Sequence, residues 1–356
     1  MRDKRKLFLP LTIIGILAVL IIFLFLKYSS STKKQEKGQN LDKLRVQAGW
    51  VLNGEFANVC SAIVNGYYED EGLEVELIPG GPTGASFVIA TNAIVQDNSL
   101  DLAIDGDLVP LLRGLTQEDK DERLKVKAFA SFWNEIPLGF IVREESGIKS
   151  LKDLAGRKTN GEKYKIGVTA DFVLQKAMAE YAGVSVDDLE FVTVGFDAAP
   201  FLLGEVDALA AYWTTQAYEV EKAGVAYKFL SISELPGFSQ PSMVALATEK
   251  VISEKKDQLV RWLRATRKGV SFVVQNPEQA AEHILDDRCG GKGFDKEQEL
   301  WLIKKSIPLF GDSNIGKLDK DQITGFAEAF NKLGQISFVP DSNTYLDYEI
   351  FDLSIK

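Results

Sequence analysis

The chain has 356 residues, 46% hydrophobic and 26% charged, which is enough for two ordinary domains each with a core. Its net charge of −10 excludes nucleic acid as a partner, because phosphate binding needs clustered Lys and Arg. One histidine, His283, and two cysteines far apart, Cys60 and Cys289, leave triads, histidine acid–base chemistry and metal clusters poorly supplied, so no metal or cofactor is expected.

The N-terminus comes first in chain order. Residues 1–6, "MRDKRK", are basic, and residues 7–26, "LFLPLTIIGILAVLIIFLFL", carry no charge. At ~1.5 Å per residue that run spans a ~30 Å hydrocarbon core. The basic flank predicts an inside N-terminus and an outside body. We read a retained membrane anchor, with a cleaved signal peptide as the alternative, since no small-x-small site or lipid-bearing cysteine follows the run. Residues 27–40 are polar and aperiodic and read as a flexible tether.

The body then alternates. "LDKLRVQAGWV" predicts a strand, and "FANVCSAIVNGYYEDEG" a helix stopped by Gly72. "LEVELI" (73–78) is a strand, "PGGPTG" a turn, and Ala85 to Ile94 a helix. "LDLAIDGD", ending in Asp105 and Asp107, and "LKVKAFASF" are further strands. After "WNEIPLGFIVREE" the pattern restarts with a helix near Ser150, its predicted N-cap, and then "KIGVTA", "LEFVTV" and "YKFLSI" as strands between helices. From about residue 240 the chain reads as mostly helix, beginning with "SEKKDQLVRWLRATRKGVSFVVQN". The fold class is therefore α/β, two units with sheets flanked by helices, followed by a helical tail. Open sheets of this kind bind ligands beyond the carboxyl ends of their strands, and two facing lobes form a cleft.

Strand ends supply the candidate site. Trp50 and Asn53, in "GWVLNGEF", offer an aromatic plane and an amide. The Pro/Gly turn lacks the lysine of a P-loop and the glycine spacing of a dinucleotide fingerprint. Its reading is an exposed helix start at Gly81–Thr83, able to donate to a small polar ligand, or a plain turn. Asp107 suits the cap of the helix beginning at Leu108, and Asp105 is open to a cationic ligand. Tyr212, Trp213 and Thr214 supply an opposite wall, and Trp133 and Asn134 a crossover between the units. These groups share aromatic faces and amides, the means of reversible recognition, and contain no nucleophile–base pair. Cys60 and Cys289 remain open between a disulfide and two buried thiols, and His283 reads as a packed or capping residue.

The runs "LRVQAGWVLNGEFANVCSAIVNGYYEDEGLEVELIPGGP", "GIKSLKDLAGRKTNGEKYKIGV" and "LLGEVDALAAYWTTQAYEVEKAGV" resemble the solute-binding proteins of the thiamine-precursor, nitrate and sulfonate uptake group, over about residues 44–275. The resemblance implies the two-lobed type 2 periplasmic-binding fold and delivery of solute to an ABC permease. It implies lobe 1 from 41–135 and 240–356, lobe 2 from 136–239, and two crossing strands. It also implies a small flat nitrogen-containing solute between these loops, with Trp50, Asn53, Gly81, Thr83, Tyr212, Trp213 and Thr214 at matching positions; Glu55, Asp105 and Trp133 complete the candidate set from this chain's own residues. Where the pyrimidine branch has a histidine shortly after the Asn, this chain has Glu55, Phe56 and Asn58, and it lacks a cysteine-rich loop. That departure favours binding over synthesis of the pyrimidine. Alternatives are a sulfonate- or nitrate-type ligand, or a ligand-sensing domain of a regulatory assembly.

Overall fold

The structure, a computed structural model, describes residues 40–83, 86–169, 172–311 and 314–356. The expected span at 7–26 and its tether lie outside these residues. Among the described residues no helix is long and apolar enough to cross a membrane.

Among the described residues twelve strands form two five-stranded sheets and one ribbon. They are β1 (Asp42–Ala48), β2 (Leu73–Ile78), β3 (Gly81–Thr83), β4 (Ser86–Val88), β5 (Leu102–Asp105), β6 (Val126–Trp133), β7 (Leu138–Arg143), β8 (Lys165–Val168), β9 (Glu190–Thr193), β10 (Ala208–Tyr212), β11 (Tyr227–Ser231) and β12 (Ser242–Thr248). The first sheet has the order β2-β1-β5-β12-β6 and the second β11-β7-β10-β8-β9. Both are mixed. In the first, β1 runs parallel to β2 and β5, with Val46 opposite Leu77 and Leu102, while β12 is antiparallel to β5 and β6. In the second, β8 is parallel to β9 and β10, and β7 is antiparallel to β10 and β11.

The chain crosses between sheets twice, from β6 to β7 and from β11 to β12. The crossings are tied together where Ile136 N donates to Gln240 O at 2.9 Å. Such a pair of short bonded connections is the kind of place where a hinge forms.

Helices cover the first sheet because its central strands, such as β5 and β12, are apolar on both faces. β6 is buried along nearly its whole length, and Phe129 and Phe132 meet Trp262 edge-to-face at 5.9 Å each. Trp262 belongs to the helix Glu249–Gln275, capped by the Thr248 hydroxyl accepting from Val251 N. Cys60, on Ala57–Val64, is bonded to Cys289 as a disulfide with Cα atoms 5.8 Å apart.

Three local expectations are corrected. The Pro/Gly turn leads not into a helix at Ala85 but into the β3–β4 ribbon, and the helix begins at Ala90. The reason is local: Gly81 pairs with Val88, Pro82 with Phe87 and Thr83 with Ser86, so the chain turns back on itself before the helix can start. The mostly helical run expected from about residue 240 opens instead with the buried strand β12, since a short continuous apolar run has no periodicity to distinguish strand from helix. The segment after Ser150 is a short 3-10 turn, Leu151–Ala155, with Asp153 accepting from Ser150 N at 2.9 Å.

Candidate functional site

A cavity of about 780 Å³ opens between the two sheets. From the first side it is lined by Gly49, Trp50, Glu55, Asp105, Gly106 and Asp107, at and just beyond the carboxyl ends of β1 and β5. From the second side come Val168, Thr169, Gly195, Phe196, Tyr212 and Gln216, beyond β8, β9 and β10.

Trp50 follows β1 and meets Phe196 edge-to-face across the cavity, with ring centroids 5.4 Å apart. The Pro/Gly turn explains how Trp50 is held. Gly80 N donates to Trp50 O at 2.9 Å, and a Cβ on Gly80 would stand 1.9 Å from Ala48 O. Gly81 has φ of +71°, and a Cβ there would stand 2.9 Å from Trp50 Cε3. The glycines therefore let backbone pack directly behind the tryptophan. Gly81 is a support for Trp50 and does not line the cavity, and the side chain of Thr83 is outside the described part.

Asp105 ends β5, buried. Its Oδ2 accepts from Thr91 N at 3.0 Å and from the Thr91 hydroxyl at 2.6 Å, and Oδ1 accepts from Gly106 N. It ties the cavity wall to the first turn of the helix Ala90–Gln96, a favourable place for a carboxylate. Burial raises its pKa, and the bonds from Thr91 and Gly106 oppose that rise. Asp107 accepts from Val109 N at 2.7 Å at the start of Val109–Leu115, one residue ahead of the cap position, which Leu108 occupies. Asp105, expected to be the open carboxylate of the two, is thus itself a helix-start acceptor while still lining the cavity.

Glu55 lies in the turn Gly54–Phe56, which Asn53 caps by accepting from Glu55 N at 3.1 Å. The Glu55 carboxyl accepts from the Thr214 hydroxyl at 3.2 Å, so this bond joins residues following strands of different sheets. Burial, with the Glu299 charge adding to it and Thr214 opposing, pushes Glu55 up to about 7.

Of the expected residues, the structure thus brings together Trp50, Glu55, Asp105 and Tyr212 at one cavity. Asn53 and Thr214 stand behind Glu55, buried. Trp213 packs against the first sheet's core, its N donating to Pro137 O. Trp133 is a correction: it is 1% exposed in that same core and does not line the cavity, because β6 stays buried through its last residue. Phe196 was not foreseen, although it follows the strand "EFVT" as Trp50 follows β1, so the strand-end rule covers it. His283 stacks on Phe272 at 5.1 Å and bonds Ser61, and burial lowers its pKa.

The cavity's carboxyl groups, Glu55, Asp105, Asp107 and Glu122, face one guanidinium, Arg113, among the described lining residues. Arg113 is engaged elsewhere, donating to Gln335 at 3.0 Å and lying over Phe330. Such a site suits donor-rich or cationic flat molecules better than anions.

Comparison with known proteins agrees with this architecture. Residues 53–280 match the family described as NMT1/THI5 like. The formylaminopyrimidine-binding protein of Halalkalibacterium halodurans is 26% identical over 277 residues, 77% of this chain and 78% of the relative. The 4-amino-5-hydroxymethyl-2-methylpyrimidine phosphate synthase of Schizosaccharomyces pombe is 23% identical over 326 residues, 87% of each chain. A solved structure, the putative periplasmic sulfonate-binding protein SsuA of a Methylobacillus flagellatus ABC transporter, superposes with a TM-score of 0.60 at 19% identity, covering 89% of this chain and 94% of its own. The last likeness shows the fold, a two-sheet periplasmic-binding-like architecture.

Proposed function

The chain belongs to the NMT1/THI5-like family, and from that premise we propose that it is an extracytoplasmic substrate-binding protein of an ABC importer. Its ligand in this reading is a small flat nitrogen-containing solute of the thiamine-pyrimidine-precursor type. The observation that carries the proposal is the cavity between the two sheets, with Trp50, Phe196 and Tyr212 as aromatic walls and carboxyl groups as acceptors. Aromatic faces supply stacking area, and Glu55 with the ordered backbone supplies orientation.

Two lobes, 41–135 with 240–356 and 136–239, close on the solute about the paired crossings and present it to the permease. The N-terminal segment 7–26 tethers the body to the outer face of the membrane. The Cys60–Cys289 disulfide supports an oxidising, extracytoplasmic setting. Binding without turnover is favoured over the synthase activity named for some relatives. The described lining offers neither His nor Cys, and His283 is packed against Phe272. The excess of carboxyl groups also argues against nitrate or a sulfonate as the solute.

A thermal-shift and tryptophan-fluorescence screen of the full chain tests this. Formylaminopyrimidine and 4-amino-5-hydroxymethyl-2-methylpyrimidine are expected to stabilise the protein, with riboflavin, taurine and nitrate as comparators. Stabilisation by taurine or nitrate alone, or by none of the panel, overturns the ligand class.

A further inference from the structure

Glu55 does not stand alone. The next residue back, Gly54, donates its N–H to Glu299 Oε2 at 2.5 Å, across 245 positions of sequence. A Cβ on Gly54 would lie 3.0 Å from Ile303 Cγ1 and 3.1 Å from Glu299 O, so glycine is what lets the helix Lys296–Ser306 press its Glu299 against the turn. Two carboxyl groups, 8% and 2% exposed, are thus set on neighbouring backbone units. The structure supplies one hydroxyl donor to the first and one amide donor to the second, and the lysines of Glu299's own helix pair with other carboxylates instead. Two buried carboxylates without a cation are expensive to ionise together, so the pair holds a proton until a positive or donor-rich group arrives.

We propose that Glu299 acts through Glu55 as a specificity-determining partner, the two forming a carboxyl pair that admits ligands presenting N–H donors or positive charge at the Glu55 end of the cavity, and that binding of such a ligand releases a proton to solvent. This rests on the binding-protein reading and adds to it a charge preference and a linkage to pH.

Burial, foremost, pushes Glu299 up to about 7, with Asp295 adding to it, and Glu55 stands at about 7 as well. The other charged groups nearby do not neutralise the pair. Asp295 caps the same helix as Glu299. On the adjoining helix Pro277–Ile284, Glu278 pairs with Lys304 at 2.8 Å and Glu282 with Lys296 at 2.7 Å, and His283 bonds Ser61. On Gln216–Lys222, Glu219 accepts from Ala198 N, Glu221 holds Lys305 at 3.0 Å, and Lys222 lies over Tyr218. Across the cavity the described lining presents Asp105, Asp107 and Glu122 against Arg113.

The experiment is calorimetric binding of 4-amino-5-hydroxymethyl-2-methylpyrimidine to the full chain in two buffers of different ionisation enthalpy, near pH 6 and near pH 8. The wild type should release a proton near pH 6 and none near pH 8, with affinity rising about tenfold between them. Glu299→Gln should reduce the proton release and move the midpoint to lower pH, since burial alone still raises Glu55. Thr214→Val, which removes the donor that favours ionised Glu55, should move the midpoint to higher pH. Equal proton counts in wild type and Glu299→Gln overturn the pair. If the pyrimidine does not bind at all, the ligand reading fails and the pair is judged separately. Carboxyl-labelled glutamate NMR of the ligand-free chain should then show two carboxyls titrating near 7, and ordinary titration near 4.5 overturns it.

Discussion

Removing the Cys60–Cys289 disulfide is the perturbation with the most calculable consequence. The two residues are 229 positions apart, and closing a loop of that length in the unfolded chain removes entropy equivalent to roughly 5 kcal/mol at room temperature. Most of that should appear as stability. Both partners are anchored in the same core, Cys60 fully buried on Ala57–Val64 and Cys289 packed at its edge. Double replacement by alanine should therefore cost about 3–5 kcal/mol in urea unfolding and lower Tm by roughly 4–8 °C. Native alkylation followed by mass spectrometry should find neither thiol reactive before reduction. Ligand affinity should stay within about twofold, because neither cysteine lines the cavity. A loss below ~1 kcal/mol, or two alkylated thiols in unreduced native protein, refutes the reasoning.

The remaining predictions concern the cavity and its supports. Glu55 and Glu299 both lie near 7 against an ordinary 4.5, so folding takes up protons; their stabilising contribution is complete below about 4.5 and lost as pH rises through about 7. Wild type should accordingly lose stability relative to Glu299→Gln between about pH 5 and 8 in parallel denaturant titrations, and parallel curves would contradict the raised values. Gly81→Ala, forced to φ +71° with its Cβ against Trp50, should shift tryptophan fluorescence and weaken ligand binding about tenfold or more; unchanged emission and affinity would show that the turn does not hold the ring. Trp50→Ala should cost ~1–3 kcal/mol of binding in calorimetry if the ring stacks on the ligand, and an unaltered Kd in folded protein removes that role. Asp105→Ala leaves Thr91 N–H and hydroxyl without their acceptor and should destabilise by about 1–3 kcal/mol, where a ligand-only role for Asp105 would leave Tm unchanged.

Much of the fold was already present in local pattern. The alternation of strand and helix, the long helix after Thr248 and the restart after β6 follow from apolar period and capping residues, and they dictate an α/β chain with two sheets. The rule that strand ends carry ligand groups singles out Trp50, Asp105 and Tyr212 from the sequence, and all three line the cavity. What local pattern could not decide was which side of a doubly covered sheet a residue faces. Trp50 and Trp133 both stand at strand ends, yet one borders the cavity and the other is core, because with helices on both faces the alternation of two carries no inside-or-outside information. The same limit hid β12, an apolar run equally suited to a buried helix. The bond of Gly54 to Glu299 and of Cys60 to Cys289 joins segments more than two hundred residues apart, and only the packing of the tail helices onto the turn at Gly54 and the helix Ala57–Val64 creates either.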